Sequence, residues 1–397
     1  MSEILDLGRA QSLVLAHAKA LANERVSLAD ALGRVTAAPA VASVDLPPFA
    51  SSAMDGFAVR AADVPGALRV VGEAAAGRPA DAPLGAGEAV AISTGGVVPD
   101  GADAVIPVEY VVHRDNTVEI ADGAAPGAHV RPRGGDVAAG DVVVPAGARL
   151  GSAQLGALGA SGVADVVCSR RPRVAILATG SELVRPGTPL GHGQIYESNS
   201  LMLAAALASV GCDIELLPLV ADDERAHRDA LARGLQADVL VTSGGVSVGP
   251  HDLVRSIEAE LGVEEIFWRV AIKPGKPVSF GGRDATLVFG LPGNPVSSLV
   301  GCELFVKPAL RALQGEQEPL PRFEAGIAAR ELRQNDARDE FVRARSRVDQ
   351  NGTVLEPLSG QESHMIVHAA AADALIHVPR GDGAIAAGAV VRWLRLG

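Results

Sequence analysis

The chain has 397 residues, of which 48% are hydrophobic and only 3% are aromatic, and its formal net charge is −12. This length is typical of about two to four domains, whose cores must consist mainly of aliphatic side chains. The acidic balance argues against nonspecific nucleic-acid binding, which needs a basic surface. A small anionic ligand remains compatible with it, because a local basic pocket can lie on an acidic protein.

The cysteines and the apolar runs of the chain indicate the cellular compartment of the protein. Cys168, Cys212 and Cys302 are far apart, odd in number and without C-x-x-C spacing, which favours buried structural thiols over a disulfide framework or a zinc site. The N-terminus lacks the basic-then-apolar pattern of a signal peptide, and no apolar run is long enough to cross a membrane. We therefore expect a cytoplasmic protein without membrane contact.

The first part of the chain mixes helical and strand signals. Apolar residues at helical spacing around Leu13 predict an N-terminal helix. Ser27 with Asp30 three residues later resembles a capping box and predicts a second helix, ended by Pro39. Between residues 41 and 144, short Val-rich runs alternate with Gly, Pro and Asp clusters, which is typical of an all-β domain. A helix predicted over 152–160 is expected to pack on the N-terminal helices, making the β domain an insertion.

From Arg173 onward, strand and helix patterns alternate, which predicts a parallel sheet flanked by helices. Residues 319–397 return to short β runs and are expected to form a small barrel or sandwich. The predicted strands of the sheet are RVAILAT, CDIELLPLV, ADVLVTS and TLVFG, and its predicted helices cover about 201–210, 222–235, 251–261 and 296–314.

Ligands bind beyond the carboxyl ends of the strands in an open parallel sheet, so the residues that follow each strand are the candidates for a site. In this chain those residues are small, hydroxylic or acidic. They are Thr179-Gly180-Ser181-Glu182, Asp222-Asp223, the 243–249 loop with Asp252 beyond it, and Leu291-Pro292-Gly293-Asn294-Pro295 leading into Ser297.

The loop Ser243-Gly244-Gly245-Val246-Ser247-Val248-Gly249 is the sharpest of these elements. Glycines let backbone N–H groups approach a phosphate, serines add hydroxyl donors, and the next helix contributes its N-terminal dipole. A plain glycine-rich turn is the alternative for the loop taken alone. The spacing fits neither the Rossmann nor the P-loop motif.

Charged side chains around these loops suggest how an anion would be held. Glu182, Asp222 and Asp252 offer hard oxygen ligands suited to Mg²⁺, although each of them is also acceptable as a helix N-cap or early-turn acid. Lys273 and Lys276, stiffened by prolines that include Pro277, could hold a dianion or diphosphate. A solvated surface loop is the alternative for these two lysines.

Taken together, the motifs resemble those of the molybdopterin molybdenumtransferase family (MoeA type, related to the E domain of gephyrin). The resemblance covers most of the chain, with the segments in the family's order. The matching segments are SSAMDGFAVR, STGGVVPDGADAVIPVE, ATGSELVRPG, GQIYESNS, TSGGVSVGPHD, IKPGKPVSF, FGLPGNPVSS and SGQESHMI.

The resemblance implies a multidomain α/β plus β fold. Its four parts are a discontinuous helical domain (1–41 and 145–169), an inserted β domain (42–144), a molybdopterin-binding α/β domain with a parallel sheet (170–317) and a C-terminal β-barrel (318–397). It also implies a homodimer in which the α/β domain of one subunit faces the β domain of the other across the active cleft.

The implied reaction uses adenylated molybdopterin, molybdate and Mg²⁺: the adenylate is cleaved, molybdenum is inserted and AMP leaves. A molybdopterin adenylyltransferase is the implied substrate donor. The matching catalytic positions are Asp55, Thr94, Glu182, Asp222, Asp252, Lys273 and Lys276, with Glu182, Asp222 and Asp252 as metal ligands. The matching substrate positions are Ser243, Gly244, Gly245, Ser247, Pro277, Pro292, Gly293, Asn294, Pro295, Ser297, Arg343 and Ser363.

Residue types alone do not assign Asp55 and Thr94 to the site, because both lie in segments that could be ordinary turns. The sequence departs from the family at Arg269, where bacterial members often have lysine; the charge is kept, but a proton-transfer role is in doubt. Two rival functions share the α/β signature. They are a molybdopterin adenylyltransferase, which is normally a short single-domain chain, and a non-catalytic scaffold.

Overall fold

The computed structural model describes residues 4–221, 223–245, 253–350 and 352–396. Of the described helices, none is long and apolar enough to span a membrane. The helices are α1 (Leu7–His17), α2 (Ser152–Ala160), α3 (Asn199–Ala208), α4 (Glu224–Gly234), α5 (Leu253–Glu260), α6 (Pro295–Gly301), α7 (Lys307–Leu313) and α8 (Ile366–Ala369).

Up to residue 169 the chain forms many short strands, as the Val-rich runs predict. Six of them make one sheet in the order β7-β4-β6-β5-β9-β8. Neighbouring residues of β4 are buried in different clusters, Phe57 in one and Ala58 in another, so both faces of this sheet are covered. The strands are β1 (Asn23–Ser27), β2 (Ala40–Val41), β3 (Ser51–Ser52), β4 (Gly56–Val59), β5 (Gly66–Ala74), β6 (Glu88–Ile92), β7 (Ala104–Pro107), β8 (Val111–Arg114), β9 (Thr117–Ile120), β10 (Val130–Arg131), β11 (Val142–Val144) and β12 (Asp165–Ser169).

One strand pair joins the segments on either side of this β region, and a second pair lies where the region begins and ends. β1 pairs antiparallel with β12, and β2 pairs antiparallel with β11. Val26 of the first segment shares one hydrophobic cluster with Leu158 and Val166 of the second. These contacts support our proposal that residues 42–144 are inserted between 1–41 and 145–169, with the limits themselves remaining a prediction.

The helix predicted from Ser27 is wrong. Residues 23–27 form β1, because Val26 pairs with β12 and is buried. The hydroxyl of Ser27 does donate to Asp30 Oδ2 at 2.8 Å, but it closes a single 3₁₀ turn over Leu28–Asp30. The sequence pattern thus predicted the contact between Ser27 and Asp30 correctly, but the structure that follows it is one 3₁₀ turn and not a helix.

The expected packing of α2 on the N-terminal helices is also wrong. In α1, Ala10 and Val14 are buried in the core of the α/β region, beside Leu310 of α7. In α2, Leu158 is buried instead in the cluster that contains Val26 of β1. The two helices therefore face different cores, because α2 lies against β11 and shares its cluster with β1 and β12.

The α/β region contains a six-stranded sheet in the order β16-β13-β17-β21-β20-β18. Its first four strands are parallel, as predicted. β20 and β18, which no sequence pattern predicted, add an antiparallel edge. The strands are β13 (Arg173–Ala178), β14 (Leu183–Val184), β15 (Ile195–Tyr196), β16 (Asp213–Leu216), β17 (Val239–Ser243), β18 (Glu264–Trp268), β19 (Ile272–Lys273), β20 (Ser279–Arg283) and β21 (Thr286–Leu291).

Both faces of this sheet are buried, which accounts for its nearly continuous apolar strands. Ile176 and Phe289 face the core that includes α1, α3 and the closing helix, whereas Leu177 and Leu240 face α4 and α5. The closing helix runs from α6 to α7 through a π-helical segment, Cys302–Val306. The three cysteines are buried, as predicted.

The last region is a closed barrel. The strands follow the order β24-β25-β22-β28-β26, and β26 pairs back with β24. Trp393 is fully buried in its core. β19 of the α/β region extends this barrel by pairing in parallel with the start of β24. The strands are β22 (Glu324–Ala328), β23 (Leu332–Arg333), β24 (Asp339–Asp349), β25 (Gly352–Pro357), β26 (Ala374–Val378), β27 (Ala384–Ile385) and β28 (Val390–Arg395).

Candidate active site

The register of the parallel strands aligns three of the predicted loops. Ala178 of β13 pairs with Ser243 of β17, and Ser243 pairs with Leu291 of β21. The loops that follow therefore start at one level and border a cleft of about 700 Å³. Of the described residues, the predicted site residues that line it are Glu182, Ser243, Gly244, Gly245, Pro277, Pro292, Gly293, Asn294 and Pro295.

Gly244 and Gly245 must be glycine for two separate reasons. Their φ angles, +94° and +67°, are in the region that side chains rarely adopt. A Cβ on Gly244 would also lie 2.9 Å from the carbonyl oxygen of Thr179, and a Cβ on Gly245 would lie 2.3 Å from Cγ2 of Val254. The backbone at the end of β17 is thus packed tightly and exposed to the cleft without side chains, as binding of a phosphate requires.

Of the three acidic residues predicted as metal ligands, Glu182 is the one that the structure describes. Glu182 lines the cleft, and its carboxylate lies so close to Gly180 that a Cβ there would be 2.6 Å from Oε2. Asp222, Asp252 and Ser247 lie outside the described residues. Within the described part of the chain, no group of three or more His, Cys, Asp or Glu side chains is arranged to hold a metal.

The two predicted lysines differ in their surroundings. Lys273 Nζ lies 3.0 Å from Glu340 Oε1, across the β19–β24 pair that joins the α/β region to the barrel. Among the described acidic residues, none forms an ion pair with Lys276. The loop that carries both lysines lies against α6, since a Cβ on Gly275 would be 3.5 Å from the carbonyl oxygen of the buried Ser297. The charge of Lys276 is therefore the more available one for an anion.

Arg343, a substrate position according to the resemblance, is not among the described residues that line the cleft. The side chain is 1% exposed, and its Nη atoms donate to the carbonyl oxygens of Gly360, Glu362 and Met365 at 2.5, 3.2 and 3.0 Å. Gln361 binds the same residue, since its Oε1 atom accepts a hydrogen bond from the Arg343 backbone N–H at 3.0 Å. Burial lowers the pKa of this guanidinium. The geometry fits a residue that holds the 360–365 loop.

The 360–365 loop is in turn attached to the cleft wall. Asn294 Nδ2 donates to Ser363 Oγ at 2.8 Å, and the Val296 N–H donates to the Ser363 carbonyl at 3.1 Å. His364 lines the cleft directly. The barrel thereby contributes one side of the site, and Ser363 contacts the Pro-Gly-Asn-Pro loop.

Asp55 and Thr94 are brought together by the β domain. Asp55 Oδ1 accepts hydrogen bonds from the Thr94 N–H at 2.6 Å and from Thr94 Oγ1 at 3.0 Å. These bonds lower the pKa of the Asp55 carboxyl, the backbone N–H having the larger effect. Both residues are exposed, and neither is among the described residues that line the cleft of the same chain.

Sequence reasoning did not assign several residues of the cleft. Among the described residues these include Tyr196, Glu197, Asn199, His227 and His364. Asn199 lies in the matching segment GQIYESNS, but its residue type gave no role in the site. His227 and His364 are single histidines whose position in the cleft depends on how α4 and the barrel pack. The sequence therefore contains no local signal for them.

Arg269 has a stacking role in the structure. Its Cζ atom lies 4.0 Å from the ring centroid of Trp268, and Arg255 Cζ lies 4.1 Å from the same centroid. A planar guanidinium stacks on an aromatic face in a way that an ammonium group does not. This contact provides a physical reason for arginine at this position.

The fold and the cleft define a class of multidomain proteins that carry a molybdopterin-binding type of α/β domain. Residues 5–162 match the family "MoeA N-terminal region (domain I and II)", 175–312 match "Probable molybdopterin binding domain" and 325–396 match "MoeA C-terminal region (domain IV)". The chain belongs to the MoeA family of molybdopterin molybdenumtransferases. The resemblance inferred from the motifs and the predicted fold class are both confirmed.

Individual relatives show how far the similarity extends. The molybdopterin molybdenumtransferase of Haemophilus influenzae is 36% identical over 375 residues, covering 93% of this chain and 92% of the relative. Molybdopterin molybdenumtransferase 2 of Mycobacterium tuberculosis is 39% identical over 378 residues, with coverage of 91% and 92%. The crystal structure of a molybdopterin biosynthesis MoeA protein from Pyrococcus horikoshii is 31% identical, with a TM-score of 0.82 and 99% of both chains covered.

Proposed function

We propose that this protein is a transferase of molybdenum cofactor biosynthesis that inserts molybdenum from molybdate into adenylated molybdopterin. The proposal rests on the cleft in which three strand-end loops lie at one level, with Gly244 and Gly245 open to it and Glu182 and Asn294 on its walls. The names and full-length coverage of the relatives support the same activity.

The residues that line the cleft, and others close to them in the chain, suit the demands of cleaving an adenylate. Backbone N–H groups at Gly244 and Gly245 and the hydroxyl of Ser243 would bind phosphoryl oxygens. Lys276, with Lys273 beside it, would neutralise the charge of molybdate and of the phosphate that develops. Ser297 and the Pro-Gly-Asn-Pro loop would shape the oxyanion pocket, and AMP would leave.

Glu182 is the described residue that would hold Mg²⁺, together with Asp222 and Asp252, which lie outside the described residues. Its carboxylate fits such a role, because it lines the cleft above Gly180 and offers the hard oxygen atoms that Mg²⁺ requires. When bound, the ion would supply polarisation of the phosphoryl group.

A complete site is proposed to need two copies of the chain. Asp55 and Thr94 form an exposed pair in the β domain, outside the cleft that the same chain lines. In the proposed homodimer, this pair would face the partner's cleft, as the family resemblance implies. A molybdopterin adenylyltransferase would supply the substrate in the cytoplasm.

Single-turnover assays with the full-length protein test the proposal. With adenylated molybdopterin, Mg²⁺ and molybdate, we expect release of AMP and formation of molybdenum cofactor; substituting Glu182→Gln should slow both together. Failure of the wild-type protein to release AMP would contradict the insertion reaction. Consumption of ATP with unmodified molybdopterin would instead indicate the adenylyltransferase, and ligand binding without either reaction would indicate a scaffold.

A further inference from the structure

Asn199 connects two of the loops that border the cleft. It is the first residue of α3, and its Nδ2 atom lies 2.7 Å from the carbonyl oxygen of Gly293 and 2.8 Å from Oγ of Ser243. Gly293 follows β21 and Ser243 ends β17. One side-chain amide therefore joins the ends of two neighbouring parallel strands.

The carbonyl of Gly293 determines how this amide is oriented. A carbonyl oxygen only accepts hydrogen bonds, so the NH₂ group of Asn199, and not its oxygen, must face Gly293. The second hydrogen of the same NH₂ group is then directed to Ser243 Oγ. The hydroxyl oxygen of Ser243 consequently acts as the acceptor in its contact with Asn199.

This arrangement leaves the Ser243 hydroxyl with one hydrogen to donate. None of the described residues accepts a hydrogen bond from Ser243 Oγ. Ser243 is 3% exposed and lines the cleft, so a ligand in the cleft can accept this hydrogen. The hydroxyl thus has a hydrogen to offer to an anionic oxygen, which is the polarity that a phosphate requires.

We propose that Asn199 is a positioning residue that orients the Ser243 hydroxyl toward a phosphate group of the ligand and joins the β17 and β21 loops. The inference deepens the proposed function and depends on it for the identity of the phosphate as part of adenylated molybdopterin. No role for Asn199 follows from helix capping, since the N-cap of α3 is Ser198.

An aspartate at this position would reverse the polarity of the contact. Asn199→Asp has nearly the same shape but donates nothing, so Ser243 would donate to the new carboxylate and turn away from the ligand. The carboxylate would also face the Gly293 carbonyl. A hydrogen bond to a charged group contributes about 1.5–3 kcal/mol, which corresponds to a loss of about tenfold to a hundredfold in phosphate affinity.

A double-mutant cycle with pyrophosphate as the probe tests whether Asn199 acts through the Ser243 hydroxyl. Pyrophosphate affinity of the full-length protein is measured by calorimetry for wild type, Asn199→Ala, Ser243→Ala and the double variant, and separately for Asn199→Asp. Because Asn199 acts through Ser243, we expect Asn199→Ala to cost much less in the Ser243→Ala background than in the wild type. Additive losses, an unchanged affinity in Asn199→Asp, or no pyrophosphate binding by wild type would overturn the proposal.

Two further measurements separate this result from other causes. Gln194→Ala is the matched control, because it truncates an amide in the segment before α3 whose contact is with the Gly191 N–H; its pyrophosphate affinity should equal that of wild type. Thermal melting shows whether each variant is folded. AMP release is measured on the same proteins, so that a protein that binds pyrophosphate with the expected coupling but releases no AMP contradicts the proposed reaction and not the role of Asn199.

Discussion

Asp55 accepts two hydrogen bonds from Thr94, one from its backbone N–H and one from its hydroxyl, through a single carboxylate oxygen. The two residues are 39 positions apart and come from different turns of the β domain. The contact orients an exposed carboxylate and holds its pKa below the ordinary value. A charged group can thus be fixed at the surface of the β domain without being buried.

Replacing Thr94 with valine is expected to raise the pKa of Asp55 only in part. The hydroxyl bond is lost, while the backbone bond, which has the larger effect, is kept. The titration of the Asp55 carboxyl carbon, followed by NMR, should therefore shift toward 3.8 without reaching it. Asp45 is an internal control, because its lowered pKa depends on Ala139 and Arg133; a shift of both carboxyls would indicate a general change in the β domain.

Mixing two inactive variants is expected to restore activity if the active cleft is shared between subunits. Asp55→Asn inactivates the β-domain side of the proposed site, and Glu182→Gln inactivates the α/β side. In a mixed dimer, one cleft carries both substitutions and the other carries neither. With random exchange, AMP release should recover to about one quarter of the wild-type rate, since half of the dimers are mixed and each has one working site. No recovery after confirmed subunit exchange would place Asp55 outside the shared cleft or exclude the dimer.

Replacing Arg343 is expected to destabilise the protein as well as the site. Arg343→Met leaves the carbonyls of Gly360, Glu362 and Met365 without their buried donor, at a cost of about 3 kcal/mol or more. A melting temperature lower by at least about 5 °C should follow, and lysine should not rescue it because an ammonium group cannot span the three carbonyls. Ser363→Ala is the comparison and should leave the melting temperature nearly unchanged. An Arg343→Met protein that melts like wild type but no longer binds molybdate would show direct ligand contact instead.

The two lysines of the Lys-Pro-Gly-Lys-Pro segment are expected to contribute unequally to molybdate binding. Glu340 lies 3.0 Å from Lys273 and offsets its charge, whereas Lys276 has no such neighbour among the described residues. Lys276→Met should therefore weaken molybdate binding more than Lys273→Met, by about tenfold for a charge-assisted contact. Glu340→Gln should strengthen binding, because it releases the charge of Lys273. Equal losses in the two lysine variants would contradict this assignment.

His377 is expected to make stability depend on pH. Burial lowers the pKa of its imidazole below 6.5, and the positive charge of Arg392 lowers it further. Asp339, whose Oδ2 atom lies 3.5 Å from Nε2, raises the pKa but does not outweigh these two effects. The unfolded chain therefore takes up a proton at higher pH than the folded chain, so stability is full above 6.5 and falls as the pH decreases toward the folded pKa.

His377→Phe removes this titration and keeps a ring to stack on Phe341, which lies 5.2 Å from the imidazole centroid. Melting temperatures at about pH 7.5 and about pH 5.5 are compared for both proteins. The decrease between the two pH values should be smaller in the variant. An equal decrease in both proteins would assign the acid sensitivity to other groups.

The sequence by itself determined the four parallel strands of the α/β region and the loops that border the cleft. Parallel strands that are buried on both faces appear as continuous apolar runs, as in β13 and β17, and ligand loops follow the carboxyl ends of such strands for topological reasons. On this basis the sequence alone assigns Glu182, Gly244 and Asn294 to one site.

Only the tertiary structure decided which side chains meet across the chain and what each donates or accepts. The hydrogen bonds from Thr94 to Asp55, from Arg343 to the 360–365 carbonyls and from Asn199 to Ser243 all join segments that are distant in sequence, so no local pattern encodes them. The same dependence explains the error at Ser27: the pairing of β1 with β12, about 140 residues away, overrode a local capping signal.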